Sequence, residues 1–181
     1  KPKEYYSQII RFTNNQILRI IYKNNLLKYY KKKKKYDIAI KIFQDIISNS
    51  KEKNKEYSRA LSNYTFTQWL QNADYNPVSE LKEALNIRLQ EQDLWGLNAS
   101  YSHLADYYTQ KKPDSALIYA TKMYGIAKTL KSPDDQIEAL QKLIVLENPE
   151  KSKQYFLTYQ KLNDSLQTAR SKAKNQFALI R

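Results

Sequence analysis

Only two glycines, Gly96 and Gly125, punctuate this chain of 181 residues. A β-rich fold of that length needs many more, because its tight turns place residues at positive φ, where glycine is favoured. Long helices joined by short polar turns need few. Apolar residues also recur at three- and four-residue steps almost throughout, the spacing of one helix face. Ile9, Ile17, Ile20, Ile21 and Leu27 mark the first run. Ala39, Ile40, Phe43, Ile46 and Ile47 mark the second, across Tyr36–Ile47. Tyr57, Leu61, Tyr64, Trp69 and Leu70 mark the third, and Leu81, Ala84, Leu85 and Leu89 the fourth.

Polar stretches and prolines separate these runs. Residues 48–55 read as a loop, and Asn76-Pro77 breaks one helix and starts the next, since proline suits a first helical turn. Further on, helices are expected over Trp95–Gln110, Ser115–Leu130, Gln136–Leu146 and Glu150–Leu166. Turns fall at Lys112-Pro113-Asp114, Ser132-Pro133-Asp134 and Asn148-Pro149. Ser132 is the expected N-cap of its helix. The tail from Gln167 to Arg181 carries Ala169, Ala173, Phe177 and Ile180 at helical steps and is expected to continue the last helix out of the domain.

The helices are expected in pairs that repeat. Glu80, Ala116 and Ser152 lie 36 residues apart, as do Ala84, Ala120 and Phe156. Tyr101, Leu104, Ala105 and Tyr108, followed by Ala116 and Ala120, resemble a tetratricopeptide repeat, with a turn one residue shorter than the standard unit. Tyr30, Tyr36, Ala39, Phe43 and Ile46, with Leu26 and Leu27 upstream, are similar to the other half of that pattern. Ile137, Leu140, Ile144, Ser152, Phe156 and Tyr159 follow it more loosely. Gln68, Trp69 and Asn72 depart from it in the second unit. The resemblance spans roughly residues 20–165. It implies an all-α fold, an α-solenoid of about four TPR-like antiparallel helix pairs in a right-handed superhelix. It implies a repeat domain over 1–166 and a helical connector over 167–181. It also implies that the first helix of each pair lines a groove, which places Ala99, Ser102, Asp106 and Thr109 on that groove in the best-matched unit.

The tail YQKLNDSLQTARSKAKNQFALIR, Tyr159–Arg181, resembles the end of the TPR-like sensory region of bacterial membrane-anchored signalling proteins. That resemblance implies an extracytoplasmic sensor ahead of a membrane span, with a histidine kinase or DNA-binding output; a cytoplasmic setting is the alternative. No run in the chain reaches the roughly 18–20 apolar residues of a membrane helix. Membrane attachment is therefore expected only through flanking sequence.

The residue inventory offers little for catalysis. With no cysteine, thiol nucleophiles, zinc–cysteine sites and disulfides are excluded. His103 is the one histidine, with Asp106 three residues on; it lacks a matched nucleophile or a second histidine, so a packing or solvated role is expected. Isolated glycines cannot build a phosphate-binding loop. Asp134-Asp135 and the Glu147–Glu150 stretch sit at turns and helix starts, where carboxylates complement exposed amides. Gly125, in mid-helix, is expected to mark close helix packing. No cofactor and no metal is expected.

The net charge of +13 is uneven. Residues 1–60 hold sixteen Lys and Arg against five Asp and Glu, whereas 61–181 hold fifteen against thirteen. Lysines outnumber arginines 25 to 6, which disfavours base and phosphate recognition by planar guanidinium groups. The run Lys31, Lys32, Lys33, Lys34 and Lys35 is the sharpest charged feature and a candidate anion contact. Paired tyrosines such as Tyr107-Tyr108 invite a stacking role for single-stranded nucleic acid. Adjacent helical residues point about 100° apart, so one of each pair is expected to pack inward. The expected function is non-catalytic recognition of a protein or peptide partner in signal transduction, with a small ligand as the other candidate. A nucleic-acid- or polyanion-binding helical repeat using the basic N-terminal third is the alternative. The chain is expected as a monomer or a weak homodimer through its C-terminal helix.

Overall fold

The computed structural model describes residues 35–178, which form seven α-helices and no strand. They are α1 Tyr36–Ser48, α2 Lys55–Gln71, α3 Val78–Gln90, α4 Leu94–Tyr108, α5 Pro113–Thr129, α6 Pro133–Leu146 and α7 Pro149–Ala178. Three of the helices expected to begin after a proline begin at it: Pro113, Pro133 and Pro149 each occupy the first turn, where the missing N–H removes no helical bond. The boundary expected at residue 166 falls inside α7, which runs on unbroken to Ala178.

The chain divides between Asp93 and Leu94 into two compact units. In the first, α1 packs on α2 and α2 on α3. The α1–α2 pair is antiparallel: the Gln71 amide, at the end of α2, donates to Asp37 at the start of α1 at 2.6 Å, and Gln44 donates to the Tyr64 hydroxyl at 3.0 Å. Its core is Ala39, Phe43 and Ala60, with Ile42, Ile46, Ile47 and Tyr64 around them. Asn54 starts α2 by accepting from the amides of Glu56 and Tyr57, at 3.1 and 3.2 Å. The buried hydroxyls of α2 are satisfied within the unit. Ser58 donates to the Lys55 carbonyl and Thr67 to that of Asn63, while Thr65 donates to the Tyr75 hydroxyl, which donates in turn to Glu80.

In the second unit α4, α5, α6 and α7 pack in chain order, and α4 also touches α6. Ala105, Ala120 and Leu143 are fully buried where α4, α5 and α6 meet, and Tyr155 of α7 packs against this cluster. The small side chains of Ala105 and Ala120 let the backbones approach, and the tyrosines fill the flanks. The Tyr119 ring stacks on Tyr108 at 5.9 Å and on Tyr101 at 6.2 Å. Tyr107 is buried. These aromatics are packing elements of the α4–α5 pair.

Two helix ends use the left-handed region without glycine. At the end of α3, Gln92 has φ of 52°, its amide donates to Leu89, and that of Asp93 reaches back to Arg88. At the end of α5, Lys131 has φ of 51°, its amide donates to Lys128, and that of Ser132 to Ala127. Both are Schellman closures. Ser132 then serves the next helix, its hydroxyl accepting from the Asp135 amide. Gly125 corrects its expectation: it is exposed on α5, and an added Cβ would meet nothing within 4 Å. No helix among the described residues is long and apolar enough to cross a membrane.

Candidate binding face

Helix α4 buries Leu97, Tyr101, Leu104 and Ala105, the i, i+4, i+7, i+8 stripe of a core-facing helix. Ser102 and Asp106, one turn apart, flank that stripe. On α6 the buried stripe is Ala139, Leu140 and Leu143, flanked by Glu138 and Lys142, again one turn apart. Packing sets these flanks against each other. The Ser102 hydroxyl donates to Glu138 Oε1 at 2.7 Å, and the Lys142 ammonium donates to Asp106 Oδ1. Lys142 Nζ also lies 3.8 Å from Glu138 Oε1. Each cross-helix contact spans 36 residues, so α4 and α6 run parallel and in register here.

The ammonium is the shielded member of the network. The Lys142 side chain is 16% exposed, against 36% for Asp106 and 51% for Glu138. The face therefore shows solvent two carboxylates held around one sunken cation. Such a surface accepts hydrogen bonds and favours cationic groups. Of the four residues placed on the groove by resemblance, Ser102 and Asp106 make these cross-helix bonds. Thr109 is half-buried, and its hydroxyl donates to the Ala105 carbonyl at 2.8 Å. Ala99 is half-buried one turn before Ser102. His103 is half-buried, and the carboxylate expected beside it, Asp106, is engaged by Lys142. Glu138 and Lys142 were not singled out by the sequence. Their one signal is the 36-residue offset from Ser102 and Asp106, with opposite charge at the second position.

Of the lysine run, Lys31–Lys34 lie outside the described residues. Lys35 is exposed at the start of α1.

The first unit carries two further polar features. An open cleft of about 440 Å³ on α3 is lined by Lys53, Ser79, Lys82, Asn86 and Gln90 around Glu83. Lys53 donates to Glu83 at 2.7 Å, and this contact raises the Lys53 pKa. The Tyr57 hydroxyl reaches the same carboxylate at 3.4 Å. Deeper in the unit, Arg88 is 1% exposed. Burial pushes its guanidinium down to about 10, with the Asp93 carboxylate opposing the shift. Arg88 donates to the Ser62 hydroxyl at 3.4 Å, and Asp93 pairs with Lys55 at 3.1 Å. This is an internal charge network with no opening to a ligand on its arginine. Among the described residues no cluster of carboxylates and histidine is arranged to hold a metal ion.

No protein-family model matches the chain, and neither a curated protein nor a solved structure matches it.

Proposed function

We propose that this chain is a binding domain built as a TPR-like α-solenoid, serving as the sensory region of a bacterial membrane-anchored signalling protein. The output would be a histidine kinase or a DNA-binding regulator, and the domain would lie outside the cytoplasm. Its task is recognition, carried by the α4–α6 face.

The observation that carries this reading is the pair of contacts Ser102–Glu138 and Asp106–Lys142, each across 36 residues. Equal offsets on successive turns are what stacked copies of one helix-pair unit produce. On this reading α4 and α6 are the first helices of two successive units, the position where helical repeats bind extended peptides. The unbroken run of α7 to Ala178 supports a helical connector following the domain. The two outward carboxylates favour a peptide partner offering lysine, arginine or backbone N–H donors.

Panning a random peptide display library on the intact chain tests this. The expected result is an enriched basic consensus whose binding is lost in Asp106→Asn and Glu138→Gln, with thermal unfolding shifted by only a few degrees. Failure to enrich a consensus, or binding indifferent to both substitutions, overturns the reading.

A further inference from the structure

The last twelve residues of α7 have an unusual support. Residues 167–176 are all exposed. These turns continue an already nucleated helix but bury no face, and helical stability in proteins comes mostly from such burial. Nor does their own sequence help. No acidic residue follows Asp164, so no intrahelical ion pair can form there. Arg170 and Lys174 stand four apart, a like-charge pair that destabilises a helix.

One contact opposes this. Arg170 Nη2 donates to both oxygens of Asp134, at 2.7 and 3.0 Å. Asp134 sits in the first turn of α6, where a carboxylate faces the unpaired amides of the helix start. Among the described residues, no other side chain in 167–176 makes a hydrogen bond or ion pair with the rest of the unit. The neighbouring carboxylate, Asp135, has no such contact with α7.

We propose that Asp134 and Arg170 form an electrostatic latch that sets whether residues 167–178 leave the unit as ordered helix. Closed, the latch cancels the Arg170 charge beside Lys174 and ties the projecting turns to α6. Open, those turns fray. Both side chains are more than half exposed, at 54% for Arg170 and 67% for Asp134, so ionic strength and nearby charged partners reach the latch directly. The inference does not depend on what the α4–α6 face binds.

Amide hydrogen exchange on the 181-residue chain tests it. Arg170→Gln and Asp134→Asn should each speed exchange of residues 171–178 by about two- to fivefold, the opening expected on losing one exposed ion pair. The double variant should exchange no faster than either single one. Raising salt to about 1 M should speed the parent and leave Arg170→Gln unchanged. Asp135→Asn, the control, should leave residues 171–178 as in the parent. Unchanged exchange at 171–178 in Asp134→Asn, which removes the contact and leaves Arg170 beside Lys174, overturns the latch. So does acceleration spread evenly over α4–α7, which would mean a general loss of stability instead.

Discussion

The Ser102 hydroxyl donates to the Glu138 carboxylate across 36 residues, and one turn on Lys142 donates to Asp106 across the same interval. Lys142 links the two contacts, because it lies near both carboxylates. They are therefore one network, and their removal should not be additive. A double-mutant cycle with Asp106→Asn and Lys142→Met should give a coupling of about 1 kcal/mol by urea unfolding. Asp106→Asn alone should cost more than Lys142→Met, because it leaves the shielded ammonium only the longer contact to Glu138, at 3.8 Å. A coupling near zero would show that the ion pair adds nothing to the α4–α6 contact.

Close helix approach in the second unit rests on fully buried small residues. Ala120→Leu should overpack the α4–α5–α6 junction and lower stability by about 1–3 kcal/mol. Leu143→Ala, at the same junction, should leave a cavity and cost about 2–5 kcal/mol. Chemical denaturation of the two variants checks both figures.

Helix α5 invites a pair of opposite substitutions. Gly125 is helical, exposed and open where a Cβ would stand, so Gly125→Ala should stabilise by about 0.5–1 kcal/mol. Six residues on, Lys131 holds a positive φ that glycine adopts without strain. Lys131→Gly should stabilise by a similar amount, about 0.5–1 kcal/mol. A fall in melting temperature for either variant contradicts the local geometry at that site.

The stacked tyrosines give the protein an alkaline limit. Burial raises the Tyr101 phenol above its usual value of 10, and burial also raises Tyr119, with Tyr108 and Tyr101 adding to the shift. The neutral phenols are the folded forms. Their contribution is complete below pH 10, the unfolded value, and is lost as pH rises through the higher folded values. Stability should therefore fall on titration above pH 10, and Tyr119→Phe should flatten that fall. A pH-unfolding profile for parent and variant decides it.

Over the described residues the sequence showed the helices and where they turn, whereas the run expected from Ile9 to Leu27 lies outside them. Apolar steps of three and four, Ser132 as a cap and prolines at helix starts are local matters, decided within a turn or two of backbone. The resemblance also implied that Ala99, Ser102, Asp106 and Thr109 share one face. What it could not show is where their bonds go. The Thr109 hydroxyl turns back onto its own helix. Ser102 and Asp106 reach α6 only because the buried alanines and Leu143 set the depth and register of packing.

Glycine teaches the same division. Its scarcity announced helices, since helix interiors have little use for it. Yet the two positive-φ closures went to Gln92 and Lys131, while Gly125 went to an open helix surface. Composition limits how often a chain can turn sharply. Packing of the helices on either side decides which residue must bear the left-handed backbone, because the next helix has to start where the core needs it. Arg170 follows the same rule: helical periodicity carried α7 onward, and only the antiparallel fit of α6 and α7 brought that arginine to Asp134.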